Sequence, residues 1–74
     1  MACIVKTGVV AHDNTCLAAE QTRAAAVAAA STQQAINAAE VTYYKACKAS
    51  ALANGLTGEL GSYNLVIRQL NGVL

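Results

Sequence analysis

Residues 16–53 read CLAAEQTRAAAVAAASTQQAINAAEVTYYKACKASALA, and this stretch decides the fold. Across almost forty positions it contains neither Gly nor Pro, and Ala, Glu, Gln, Lys and Leu dominate it. Those residues lose the least side-chain freedom in a helix, so the segment is helical by propensity. Upstream, Asp13, Asn14 and Thr15 can each accept from the first free amides of a helix. Downstream, Asn54-Gly55 supplies the stop, Gly55 being suited to the left-handed position that follows a helix. The reading is a helix over about 15–54, with Glu20 and Arg23 as an i,i+3 ion pair in its first turns.

A single helix of that length would run about 60 Å. A compact chain of 74 residues has a radius of gyration of about 11 Å and a diameter of about 30 Å. A long rod that packs on neighbours is therefore the expectation. The alternative is a break at Ser31-Thr32-Gln33-Gln34, where Ser31 and Gln34 match the S-x-x-Q capping box. On the rod, Ala24, Ala28, Ala35, Ala38, Ala46, Ala49 and Ala53 lie close to one stripe. Small side chains on such a stripe let helices approach closely, which reads as a contact face; plain helix propensity would also account for the alanines. Ile36, Tyr43, Tyr44, Cys47 and Leu52 make the second half bulkier, so more of the core belongs there.

Beyond Gly55, Leu56, Leu60, Tyr63, Ile67, Leu70 and Leu74 recur at alternating spacings of four and three, a coiled-coil-like seam. Gly58 and Gly61 weaken its start. A shorter helix beginning at 58 or 62 and ending near 72 is expected to fold back on the long one as an unequal hairpin. Ahead of the helices, residues 3–11 are rich in β-branched types and read as extended, with Ile4, Val5, Val9 and Val10 as contact residues. A lone short strand has nothing to pair with in its own chain, so residues 1–13 are expected to act as an arm reaching a neighbour. The fold class is all-α, in one small domain over 1–74.

Composition narrows the function. Seventeen residues are Ala; the aromatics are Tyr43, Tyr44 and Tyr63; five Lys or Arg stand against four Asp or Glu, for a net charge of +1. So even a charge balance opposes a phosphate-driven nucleic-acid binder, although Lys45 and Lys48 lie beside Tyr43 and Tyr44. The absence of proline and the low charge oppose a disordered tail. No basic leader precedes an apolar run, and no stretch of about 20 strongly apolar residues could span a bilayer.

Chemistry-bearing patterns are sparse. Asp13, Glu20, Glu40 and Glu59 are dispersed and suggest no carboxylate pair. The glycines at 55, 58 and 61 lack the strand and the Gly-Lys-Ser/Thr signature of a phosphate loop. Cys3, Cys16 and Cys47 are odd in number and irregular in spacing, which is not a disulfide framework; they read as small buried side chains in a reducing compartment. A structural zinc would have to collect Cys3, His12, Cys16 and Cys47 from three places. A Cys16–His12 nucleophile requires the helix to begin before His12, and no third orienting group stands nearby. No enzyme activity, cofactor or metal is expected.

Short, low-charge, Ala-rich chains of this plan resemble minor virion proteins of tailed bacteriophages, such as decoration, neck, tail or internal components. The resemblance is compositional and covers mainly residues 16–53. It implies a non-enzymatic subunit in a homo-oligomer or on a larger scaffold, located in the virion or the host cytoplasm. The alternative is a small helical adaptor or regulator that binds a host protein or DNA as a dimer.

Overall fold

The computed structural model describes residues 9–73. Helix α1 spans Val10–Ala29, α2 spans Gln33–Ala53, a single 3-10 turn covers Thr57–Glu59, and α3 spans Leu60–Asn71. Among the described residues there is no strand. The all-helical class and the folding-back of a shorter last helix are as expected; the single long helix is not. The chain breaks between Ala29 and Gln33, and α1 and α2 pack antiparallel.

The break has a local cause and a tertiary one. Locally, Thr32 is extended and its hydroxyl accepts from the Ala35 amide at 3.1 Å, so Thr32 caps α2 in place of the expected Ser31. Gln33 Nε2 then donates to Asn37 Oδ1 at 3.0 Å, tying down the first turn. The three residues taken out of the helix thus lose little hydrogen bonding. In return the hairpin buries Tyr43 and Cys47 of α2 against Cys16 of α1, contacts that a straight rod would leave to a neighbour.

At its other end α2 stops as expected. Gly55 takes φ +75°, its amide donates to the Leu52 carbonyl at 3.3 Å, and the Leu56 amide donates to the Ala51 carbonyl at 2.8 Å. That is the 5→2 and 6→1 pairing of a Schellman motif.

The start of α1 also departs from expectation. Val9 is extended, but Val10 to Asp13 are helical, so the arm does not run to 11 or 13. Ile4 and Val5 lie outside the described residues. The Asp13 amide donates to the Val9 carbonyl at 2.9 Å, and the added turn carries His12 into the contact with α2. Burial of His12, rather than capping by Asp13, Asn14 or Thr15, sets this end.

Helix α2 is central. α1 and α3 both pack on it, and no Cα of α1 comes within 8 Å of one of α3. The extents of 35 × 23 × 16 Å agree: 23 Å is what three helices side by side at axis spacings of about 8–10 Å require. The core is correspondingly thin. Among the described residues its buried hydrophobic side chains are Cys16, Val41, Tyr43, Cys47 and Ala51, with no Leu or Ile. The seam Leu56, Leu60, Tyr63, Ile67 and Leu70 does turn toward α2, but each member is only half-buried; Leu74 lies outside the described residues.

Candidate functional site

Two surfaces of the α1–α2 hairpin carry what chemistry the chain has: the seam where the helices meet, and the outer face beside it.

The seam is more polar than its sequence suggests. His12, 1% exposed, shares a 2.9 Å hydrogen bond between Nδ1 and Ser50 Oγ. One turn along α1 and one turn back along α2, Cys16 and Cys47 enter a buried cluster with Tyr43, against which Ala19, Tyr44 and Tyr63 pack. Further along, Arg23 is buried, and its guanidinium makes a two-pronged ion pair with Glu20 and lies 6.0 Å from the centre of the Tyr43 ring. The expected Glu20–Arg23 pair is thus present. It does more than decorate a helix, because the pairing lets a cation sit in the seam beside an aromatic face.

Electrostatics follow the geometry. Arg23, first by hydrogen bonding and then by its charge, holds the Glu20 carboxyl below its usual range against the opposing effect of burial. Burial first, and then a hydrogen bond with Cys47, raise the Tyr43 phenol well above its ordinary value of 10.0. The Tyr44 phenol is raised as well, mainly by burial. The Tyr43 and Tyr44 rings meet edge-on at 5.1 Å, and Tyr44 reaches Tyr63 of α3 at 6.4 Å, so the three tyrosines join all three helices.

With the helix starting at Val10, His12 and Cys16 do meet, Nε2 lying 3.5 Å from Sγ. Cys16 is only 5% exposed and His12 is sealed, so no substrate reaches the pair from solvent in this conformation. Among the described residues, no three His, Cys, Asp or Glu side chains gather in a metal-holding group; Cys3 lies outside them. Tyr43 faces the core rather than standing with the exposed Lys45, which removes one half of the Lys-Tyr cluster noted above.

The outer face is the larger feature. A groove of about 250 Å³ runs between Ala19, Thr22, Arg23 and Ala26 of α1 and Ala39, Thr42, Tyr43 and Ala46 of α2. On α1 the surface beside it continues through Ala11, Thr15 and Ala29, all exposed. On α2 it continues through the exposed Ala35, Ala49 and Ala53. Helical spacing puts each of these on the groove side of its own helix. Apart from Arg23 at the groove floor, paired with Glu20, no charged residue belongs to this set.

Its three threonines are less polar than their type. Thr15 donates to the Ala11 carbonyl at 2.9 Å, Thr22 to the Ala18 carbonyl at 3.2 Å, and Thr42 to the Ala38 carbonyl at 3.1 Å. Each hydroxyl proton is spent on its own helix, four residues back. What remains outward is a surface made mostly of methyl groups.

The residues singled out from the sequence divide accordingly. Ala24, Ala28, Ala35 and Ala38 are all exposed, but only Ala35 belongs to the groove-side face. Ala38 lies at its edge toward Lys45. Ala24 and Ala28 turn to the other flank of α1, in line with the exposed Leu17 and Val10. Tyr43 is buried, Ile36, Tyr44 and Val9 are half-buried, and Leu52 is 60% exposed. The groove-side set from Ala11 to Ala29 was not recognised from the sequence, although Ala11, Thr15, Ala19, Thr22, Ala26 and Ala29 repeat at spacings of three and four. No helix among the described residues is long and apolar enough to cross a membrane. No family model, curated protein or solved structure matches the chain.

Proposed function

We propose that this protein is a non-enzymatic structural subunit that assembles with copies of itself through the methyl-rich outer face of the α1–α2 hairpin. The observation that carries the reading is that face: two helices wide, built of Ala and back-bonded Thr, and charged only at the paired Arg23. A neutral face of small residues can meet its own copy without like-charge repulsion, and small side chains let four helices approach closely across a two-fold axis. A thin core, with no buried Leu or Ile among the described residues, gives the chain reason to bury more surface by association. A place as a minor component of a phage particle fits this role and the Ala-rich composition; the adaptor reading has no comparable surface in its favour.

The test is the solution mass of the chain across a concentration series, by sedimentation or light scattering, with helicity followed in parallel. Dimers or larger assemblies are expected to form as concentration rises. Ala26→Glu, which puts a carboxylate on the face of every copy, should shift association at least tenfold toward monomer and leave helicity intact. Gln21→Glu, on an exposed position away from the groove, should change neither. A monomer at all accessible concentrations, or an assembly indifferent to Ala26→Glu, would overturn the proposal.

A further inference from the structure

We infer that Cys16 and Cys47 form a dithiol that oxidises to an intramolecular disulfide and so staples α1 to α2. Spacing in the sequence gives no hint of the pair, since about thirty residues separate them. The hairpin brings them together. The 2.9 Å bond between His12 and Ser50 fixes the register of the antiparallel helices. From that rung, four residues forward on α1 is Cys16 and three residues back on α2 is Cys47, the next rung of the same seam. Both are thiols outside any disulfide, in the one buried cluster, 5% and 1% exposed, with the Tyr43 ring packed against them. Beside them the seam carries His12 and Tyr43 and the small Ala19 and Ser50, and the small pair favours the short helix separation that a disulfide needs.

The reaction is thiol–disulfide exchange with a small disulfide of the glutathione type. One cysteine, as thiolate, attacks the disulfide and releases one glutathione thiolate, leaving a mixed disulfide on the chain. The second thiol loses its proton to solvent and attacks the bound cysteine sulfur, expelling the second glutathione. Two protein thiols are oxidised to one disulfide, and one oxidised glutathione is reduced to two thiols. Because both sulfurs are sealed, entry of the reagent requires α1 to lift from α2. Once closed, the bond opposes that same motion.

The experiment uses the full chain carrying Cys3→Ser, so that only the two thiols in question remain. It is equilibrated with graded ratios of oxidised to reduced glutathione, once folded and once in urea, then quenched, alkylated and mapped by mass spectrometry. The folded chain is expected to lose two hydrogens, to keep no alkylatable thiol, and to yield one cross-linked peptide pair containing residues 16 and 47. By linkage, the folded chain should favour the bond over the unfolded chain by the factor with which the bond stabilises the fold, roughly 10²–10³ for a loop of this length. Cys47→Ala on the same background should abolish the cross-link and leave at most a glutathione adduct. A folded-to-unfolded ratio near or below one would overturn the inference. So would a folded chain that gives only adducts or intermolecular dimers.

Discussion

Replacing Tyr43 with Ala tests the thin core at its centre. Tyr43 is 5% exposed, touches the Cys16 and Cys47 cluster, lies under Arg23, and meets Tyr44 edge-on. Truncating a buried aromatic side chain to Ala removes about 3–5 kcal/mol, because the lost burial is compounded by a cavity that neighbours fill only in part. A chain of this size has a total stability of about 4–11 kcal/mol. The variant should therefore lose roughly a quarter or more of its stability. The assay is urea unfolding followed by far-ultraviolet circular dichroism, at a concentration low enough that association does not contribute. With a denaturant slope of about 1 kcal/mol/M the midpoint should fall by about 3–5 M, and a chain at the lower end of that stability range becomes partly unfolded in water. Tyr43→Phe keeps the ring and removes only the hydroxyl, so it should lose about 0.5–1.5 kcal/mol. Leu52→Ala, at a 60% exposed position, should change stability by less than about 0.5 kcal/mol. If Tyr43→Ala matched Leu52→Ala, Tyr43 would not be the centre of the core.

The raised phenols of Tyr43 and Tyr44 make stability sensitive to alkali: it should hold up to about pH 10 and fall as pH rises further, since the unfolded chain releases those protons first, and Tyr43→Phe should flatten the decline seen in pH-dependent melts. Glu20 gives the opposite limb: its lowered carboxyl contributes stability above about pH 4.5 that is lost as pH falls below it, and Glu20→Gln should remove that limb. Thr32→Ala deletes the side-chain cap of α2 and should cost about 0.5–2 kcal/mol in urea unfolding, with amide exchange speeding first around Ala35. Gly55→Ala meets no neighbour within 4 Å, so its expected loss of about 1–2 kcal/mol comes from the left-handed backbone alone; an unchanged melting curve would refute that assignment.

Much of the local structure was legible in the residues. Helicity on either side of the break, the stop at Asn54-Gly55, the Glu20–Arg23 pair and the half-burial of the seam from Leu56 to Leu70 depend on neighbours within a turn or two, and appear as read; the one unbroken helix over 15–54 does not. The Ala stripe did not survive, for a physical reason. Ala24, Ala28, Ala35 and Ala38 share a face only if one helix keeps its phase through Ser31. The break at Ala30 to Thr32 resets that phase and reverses direction, so Ala24 and Ala28 end on one flank of the hairpin and Ala35 on the other. Propensity cannot decide such a break, because residues 31–34 are exposed, so the backbone groups freed there are taken up by water, with the Thr32 cap holding the Ala35 amide.

The balance is set by burial at a distance. Tyr43 and Cys47 closing on Cys16, and His12 reaching Ser50 across 38 residues, favour the hairpin over the rod and carry α1 back to Val10. Sequence alone determined that this chain is helical, where α2 stops, and which side of its last helix faces inward, since those follow from side-chain entropy, backbone φ and periodicity. Tertiary structure alone decided that the long helix is two helices, that two cysteines remote in sequence share a seam, and that Ala and Thr gather on one outward face, because each depends on the register between antiparallel helices.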